Sequence, residues 1–398
     1  MTSAETLTYD PYDYEIDADP HPVWRRLRDE APLYRNDRYD FWALSRYRDV
    51  YEASLDAATF SSAHGTVLEM MTDTPDQIPM MIFMDPPEHD QLRGLVSRSF
   101  TPRRIGSLED RIRDLCAAYL DPQVGGKGFD YLADFGARLP VMVIGSLLGV
   151  PEDDQDWIRE STDLLLHREP GETEPAGDTV AASNELARYW RDMVAERRRN
   201  PRDDMMTDLT QAEISLEDGT TRSLTDAEVE AFIGLLSGAG NETVARFLGW
   251  TATTLARNPD QRARLVADPS LIPNAVEELL RYEAPSPVQG RWLTRDLELH
   301  GEVVPANSKI LLLTGSAGRD ERQYDDPDRF DVGRNGGTHV AFGYGIHFCL
   351  GAALARMEGR IAIEETLARF PEWDLVEDGL EMVHTSTVRG YAKVPITL

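Results

Sequence analysis

A single thiol closes a glycine-rich loop. The run Phe342-Gly343-Tyr344-Gly345-Ile346-His347-Phe348-Cys349-Leu350-Gly351 leads directly into the strongly helical Ala352-Ala353-Leu354-Ala355-Arg356-Met357-Glu358. A thiol is a ligand or nucleophile only as its anion, and the unpaired N–H groups and partial positive charge of a helix N-terminus stabilise that anion. Gly343 and Gly345 let the chain turn back beneath the sulfur, and Gly351 lets the helix approach a flat partner closely. By residue type alone Cys349 is either a thiolate ligand to a metal or a buried structural cysteine at a helix start.

Three further groupings could do chemistry. In Ala239-Gly240-Asn241-Glu242-Thr243 an acid precedes an alcohol midway along a helical segment, which suits a proton relay but equally a Thr bonded back to its own helix beside a solvent-facing Glu. His89 and Arg93, four residues apart in Asp85-Pro86-Pro87-Glu88-His89-Asp90-Gln91-Leu92-Arg93, would project from one helical face toward a carboxylate. Glu278 and Arg281 stand one helical turn apart, a spacing common on helix surfaces.

Taken in order, these segments resemble the cytochrome P450 family, whose haem-binding loop reads Phe-Gly-x-Gly-x-His-x-Cys-x-Gly. The chain matches every fixed position of that loop, and the resemblance covers roughly residues 20 to 395. It implies haem b held by Cys349, with Phe342, Gly343, His347 and Gly351 in the ligand loop; a single Cys thiolate pushes electron density toward iron and favours O–O cleavage. By the same resemblance Thr243 is the hydroxyl and Glu242 the proton relay on the side opposite the thiolate, with Ala239 and Gly240 leaving space beside the iron. Propionate contacts are implied for His89, Arg93, Arg291 and His347. Glu278 and Arg281 match the family's structural Glu-x-x-Arg pair, and Arg329, in the meander Asp320–Asp331, is the residue expected to join them. Gly318 stands where many members carry Asn. By family position the substrate pocket draws on Met81, Ile82, Phe83, Leu235, Gly238, Ala239, Pro287, Val288 and Val388. These are apolar, and neighbouring methionines adapt to varied shapes, so a hydrophobic organic substrate is expected.

The elements that must position these groups are mainly helical. The longest signal runs from Thr225 to Asn258, with Thr225 as N-cap, Glu228 completing a capping box and Pro259 beyond the end. At ~1.5 Å per residue it would be on the order of 50 Å long. Gly234, Gly238 and Gly240 each weaken such a helix by ~1 kcal/mol relative to Ala, which suits a close approach to its backbone. Strand signals are confined to Phe41–Leu44, to 214–224 turning at Asp218-Gly219, and to 291–310 with a turn at Gly301. Loop signals fall at 121–130, 169–178 and 200–204. The fold expected is one mainly α domain of the triangular cytochrome P450 type with small β-sheets toward the N-terminal side, spanning 21–398 after an N-terminal extension at 1–20.

Composition narrows the partners. The chain of 398 residues has 70 acidic and 41 basic side chains and a net charge of −29, which argues against nucleic-acid or anionic-membrane surfaces. Only two cysteines occur, and Cys116 reads as core filler on an amphipathic helix, so no disulfide scaffold is expected. The N-terminus has no signal-peptide pattern, and the longest apolar stretch, 139–150, is too short to span a bilayer; a soluble cytoplasmic protein is expected. There is no nucleotide-binding glycine motif, no Cys set for an iron–sulfur cluster and no Cys-x-x-Cys-His. Electrons should therefore come from outside, and the resemblance implies NAD(P)H through a ferredoxin reductase and a ferredoxin. Arg93, Arg98, Arg103 and Arg104 lie in a stretch without acids and form a candidate docking patch for an acidic ferredoxin. The expected activity is a monooxygenase acting on a hydrophobic substrate; the rivals are a peroxide-driven enzyme of the same fold and a non-catalytic haem sensor or electron carrier.

Overall fold

The computed structural model describes residues 7–75, 78–97, 100–166, 177–215, 219–335, 337–385 and 388–398. Residues 169–176 of one expected loop, Arg98 of the candidate docking patch and Asp218 of the expected turn lie outside them.

The fold is organised by the helix Asp226–Arg257, 32 residues long. Its start follows from local chemistry: the Thr225 hydroxyl accepts from the Glu228 N–H at 3.2 Å while the Glu228 carboxylate accepts from the Thr225 N–H at 2.8 Å, so two N–H groups that the helix leaves open are both satisfied. Every residue from Val244 to Leu255 is buried. A helix buried all round belongs to the core rather than to a surface layer, and this one packs against Arg138–Leu148, Gly177–Arg199 and Ala352–Arg369. The apolar stretch seen in the sequence at 139–150 is the first of these neighbours, ended by Gly149 in the left-handed conformation.

The sheets are small and mixed. The largest has five strands, ordered Leu33–Asn36, Phe41–Leu44, Lys309–Leu312, Gln289–Leu293 and Phe60–Ser61, with one parallel pair between the second and third. Three of its strands come from the N-terminal 33–61 and two from the expected 289–312 segment. That segment folds as two nested pairs: Leu297–Leu299 and Glu302–Val304 turn at Gly301, and Gln289–Leu293 returns against Lys309–Leu312. The pair Glu213–Ser215 and Thr221–Ser223 forms the other expected hairpin. Residues 7–19 lie against the body of the fold. Tyr9 is 3% exposed, the Tyr14 ring stacks on His384 at 3.4 Å, and Asp17 accepts from His384 at 3.2 Å.

Candidate active site

A cavity of about 340 Å³ separates the long helix from the Cys349 loop. The loop is pinned by its own backbone: the Cys349 N–H donates to the Phe342 carbonyl at 2.9 Å, and the Ala352 N–H, in the first turn of Ala352–Arg369, donates to the Cys349 carbonyl at 3.3 Å. Gly343 and Gly345 both have positive φ, +67° and +70°. At Gly345 the requirement is also one of space, since a Cβ there would fall 2.2 Å from the Ser54 carbonyl oxygen. Burial raises the pKa of the Cys349 thiol, opposed by the Gly351 and Ala352 N–H groups and by the charges of Arg93 and Arg356. The helix start alone does not overcome burial; a coordinated metal would, because coordination deprotonates a thiol outright.

Four donors converge on the same cavity: His89, Arg93, Arg291 and His347 all line it. His89 and Arg93 lie on the helix Glu88–Ser97, as their spacing predicts. His89 is 1% exposed and holds Asp90 through Nδ1 at 2.9 Å, leaving Nε2 without a partner among the described residues. His347 sits in the short turn Gly345–His347, its ring 4.4 Å from that of His89, and its buried Nε2 is also unpartnered among the described residues. Burial, with the positive neighbours Arg291, His89 and Arg93, pushes the His347 pKa down to about 3. Arg291 is pushed down to about 10 by burial, which the charge of Asp85 only partly offsets. Arg93 donates to the Phe348 carbonyl at 2.5 Å, and neither it nor Arg291 forms an ion pair among the described residues. A buried and a half-buried cation without a carboxylate partner among the described residues, with two open ring nitrogens at the same rim, are what a bound dianion would satisfy. The thiol, this rim and the open space in front of Gly351, where a Cβ would meet nothing within 4 Å, fit a flat iron macrocycle carrying two carboxylates.

On the opposite wall the structure separates the expected pair. Thr243 lines the cavity, its hydroxyl donating to the Ala239 carbonyl at 2.9 Å. Glu242, expected beside it, is turned about 100° around the helix. It is 3% exposed, is absent from the cavity wall, and accepts from Arg246 at 3.0 Å. Gly240 lines the cavity too, but its small size is demanded from behind: a Cβ there would meet Ile144 Cγ1 at 2.5 Å, so helix packing fixes this residue.

Of the expected substrate contacts, Met81, Ile82, Leu235, Ala239 and Val288 line the cavity. Phe83 and Gly238 do not, and Pro287 and Val388 face a smaller neighbouring pocket of about 80 Å³ near the N-terminal segment. Thr66, Val67 and Val288 border both spaces. Missed by the sequence reading were Phe100, Ile144, Val244, Phe247, Leu354 and Glu358. Leu354 and Glu358 had a usable signal, lying three and seven residues beyond Gly351 on one face of the following helix.

The structural pair forms as expected, with Arg281 gripping Glu278 in a two-point contact at 2.7 and 2.8 Å. Its third member is corrected. Arg334, not Arg329, joins Glu278, with Nε donating at 2.9 Å. The Arg329 side chain is 63% exposed and pairs with Asp326 and Asp331. The turn at Asp326, which has φ of +46°, carries Arg329 to the outside, and the chain then brings Arg334 back beneath it to bond the Asp325, Asp326 and Arg329 carbonyls. Gly318 lies under the same hub: its carbonyl accepts from Arg281 at 2.7 Å, and a Cβ there would fall 2.4 Å from the Arg281 carbonyl oxygen. The candidate docking patch is also corrected, because Arg93 turns inward and Arg104 pairs with Asp208; of the described members Arg103 remains exposed.

Comparison with known proteins agrees with this geometry. The sequence model of the family described as Cytochrome P450 matches residues 172–386. A Mycobacterium tuberculosis protein described as cytochrome P450 123 is 44% identical over 98% of this chain and 97% of its own. The vitamin D(3) 25-hydroxylase of Pseudonocardia autotrophica is 37% identical over 100% of this chain and 98% of its own. The solved structure of CYP109E1 from Bacillus megaterium in complex with testosterone superposes with a TM-score of 0.87 at 30% identity, covering 96% of this chain and 99% of that one. With the thiolate loop, the cationic rim and the alcohol-bearing helix in place, the chain belongs to the cytochrome P450 family of haem-thiolate monooxygenases, its cofactor haem b.

Proposed function

We propose that the protein inserts one oxygen atom from dioxygen into a bulky, apolar organic substrate and reduces the other to water, drawing electrons from NAD(P)H through a ferredoxin reductase and a ferredoxin in the cytoplasm. Haem b bound through Cys349 would supply the oxygen activation, the thiolate favouring O–O cleavage. The observation that carries the reading is Thr243, a hydroxyl on the cavity wall formed by the long helix, in a cavity that also contains the thiol.

Each wall has a task in this reading. His89, Arg93, Arg291 and His347 hold the two carboxylates of the cofactor, which would give the two open ring nitrogens of His89 and His347 an acceptor and the charges of Arg93 and Arg291 a counter-charge. Met81, Ile82, Leu235, Leu236, Val244 and Val288 bind the substrate by apolar burial, worth ~25 cal/mol per Å², and keep bulk water out. Thr243 gives its donor to Ala239 and so offers its oxygen as an acceptor; rotation about its side-chain bond lets it donate to a proton acceptor in the cavity. Glu242 contributes from behind the wall, and passing a proton inward requires its carboxylate to leave Arg246. The substrate class is supported by the apolar lining and by two relatives, one described as a vitamin D(3) hydroxylase and one solved with testosterone.

The test is a panel of steroids, secosteroids and macrolides screened for the change in the ferric haem spectrum that marks loss of the iron-bound water. Products are then analysed with ferredoxin, reductase and NAD(P)H, and separately with peroxide. Ferredoxin-supported product from an apolar polycyclic compound is expected. Faster turnover with peroxide, untouched by Thr243→Ala, would replace this reading with the peroxide-driven one.

A further inference from the structure

Three of the four rim donors come from two separate parts of the chain, and one residue ties those parts together. His89 and Arg93 ride on the helix Glu88–Ser97, and Arg291 on the strand Gln289–Leu293. Asp85 stands between them. Its main-chain carbonyl accepts from the His89 N–H at 3.1 Å, in the first turn of that helix, while its carboxylate accepts from the Ser61 hydroxyl and from the Ser62 N–H at 2.9 Å. Ser61 is in turn register-paired with Trp292, the residue after Arg291. One aspartate therefore fixes the helix that carries two rim donors against the sheet that carries a third.

The same carboxylate has an electrical effect. Arg291 is 6% exposed, and burial disfavours the charge of its guanidinium. Asp85 lies close enough for its negative charge to offset part of that cost, yet the two form no ion pair. An ion pair would have spent the guanidinium on Asp85. Instead Arg291 donates to the Gly290 carbonyl at 2.7 Å and to Gln289 at 3.4 Å, both neutral, and its charge stays available to a carboxylate ligand in the cavity. Asp85 is half-buried and held by two hydrogen bonds, so its charge sits at a fixed place behind the rim. A fixed negative charge there opposes the addition of an electron to a metal in front of the rim, because the reduced state carries one more negative charge.

We propose that Asp85 is a positioning residue for the cofactor: its hydrogen bonds lock the helix of His89 and Arg93 to the strand of Arg291, and its charge tempers Arg291 and so holds the reduction potential of the iron down. This rests on the reading above that the rim holds the carboxylates of the cofactor. The two tasks are separable, because hydrogen bonds do the locking and charge does the tempering.

Potentiometry of the holoprotein and transfer of its haem to apomyoglobin tell them apart. Asp85→Asn keeps a side chain able to bond Ser61 and Ser62 but loses the charge, so the ferric–ferrous equilibrium should move about three- to tenfold toward ferrous, tenfold being about 59 mV for one electron, and haem should leave no faster. Ser61→Ala keeps the charge and loses one bond of the lock; haem should leave about tenfold faster, the range of one hydrogen bond to a charged group, with the redox equilibrium within about twofold of the unaltered protein. An unmoved potential in Asp85→Asn, an equal rise in Ser61→Ala, or unchanged haem transfer in Ser61→Ala overturns the proposal. If Asp85→Asn fails to fold, Asp85→Glu takes its place: it keeps the charge on a longer arm, so haem should leave faster at an unmoved potential, and a rise in potential overturns the proposal. Arg291→Met tests the reading beneath. Haem leaving that variant no faster than the unaltered protein overturns the rim assignment and the proposal with it, whereas faster loss there beside an unmoved potential in Asp85→Asn overturns the role of Asp85 alone.

Discussion

Arg246 holds Glu242 at 3.0 Å and, through its other nitrogen, donates to the Tyr391 carbonyl at 2.6 Å, so the acid of the acid–alcohol pair is tethered to the C-terminal strand Tyr391–Lys393. Both side chains are buried. Removing one partner leaves the other as an uncompensated charge, so Arg246→Met should destabilise the fold by about 3–5 kcal/mol. Denaturant unfolding of the holoprotein reads this directly. A loss under ~1 kcal/mol, the range of exposed pairs, would mean the two groups are solvated.

Thr243→Ala should separate stability from function. Among the described residues the hydroxyl bonds to its own helix at Ala239, a back-bond of little structural value. The unfolding midpoint should hardly move, while the yield of product per NAD(P)H should drop on the order of tenfold or more, the lower range for losing a proton-transfer group.

Arg334 and Arg329 offer a paired test of the thiolate-side hub. Arg334→Ala removes a 2.9 Å contact to buried Glu278 and three carbonyl contacts, and a loss of about 3 kcal/mol is expected. Arg329→Ala removes exposed pairs and should stay within ~0.5 kcal/mol. Equal losses in thermal melts would refute the assignment.

These corrections show where the sequence was readable. The capping box at Thr225 and Glu228 is local chemistry and placed the helix start correctly; the Cys349 loop is likewise defined within ten residues, and Phe342, His347, Cys349 and Gly351 line the cavity while Gly343 makes the turn. The cationic rim was legible because His89 and Arg93 share a helix face, and His347 adjoins the thiol. What failed depended on distant contacts. Nothing near Arg329 in the chain reveals that a turn at Asp326 exports it and returns Arg334. Nothing near Glu242 reveals that Tyr391 anchors its partner, and the role of Ile144 in keeping residue 240 a glycine is invisible without the packing of two helices.

That last relation gives a further prediction. Gly240→Ala adds a helix-favouring residue yet drives its methyl to 2.5 Å from Ile144, so a net loss of about 1–3 kcal/mol is expected. Combined with Ile144→Ala, the same substitution should cost nothing or stabilise. Additive losses in the double-mutant cycle would show that the clash is not the cause.

Stability should bend with pH at both ends. For Glu277, burial raises the pKa, but the hydrogen bonds and charges of Arg356 and His339 prevail and bring it from an ordinary 4.5 to about 2. A depressed folded value means the stabilisation is present above the unfolded pKa and is lost as pH falls toward 2. Glu358 has the opposite sign: raised from 4.5 to about 8, it supports the fold fully below pH ~4.5 and loses that support as pH rises through 8. Cys116, which feels the Glu358 charge, has its own thiol pushed up by burial and stays neutral across that window. The unfolding free energy of Glu358→Gln relative to the unaltered protein should therefore climb by up to ~1.4 kcal/mol per pH unit between pH 5 and 8. A flat difference would mean the carboxyl is already ionised at pH 5.

The seating of Gly345 against the Ser54 carbonyl has a mechanical consequence. Main chain meets main chain there, with no side chain between them to change rotamer, so the thiolate loop behaves as a rigid bracket bolted to the helix Tyr47–Leu55 rather than as a spring. Compliance in the active site is left to the methionine-bearing segment around Met81 on the other side. A substrate of awkward shape should deform that wall and leave the sulfur where it is.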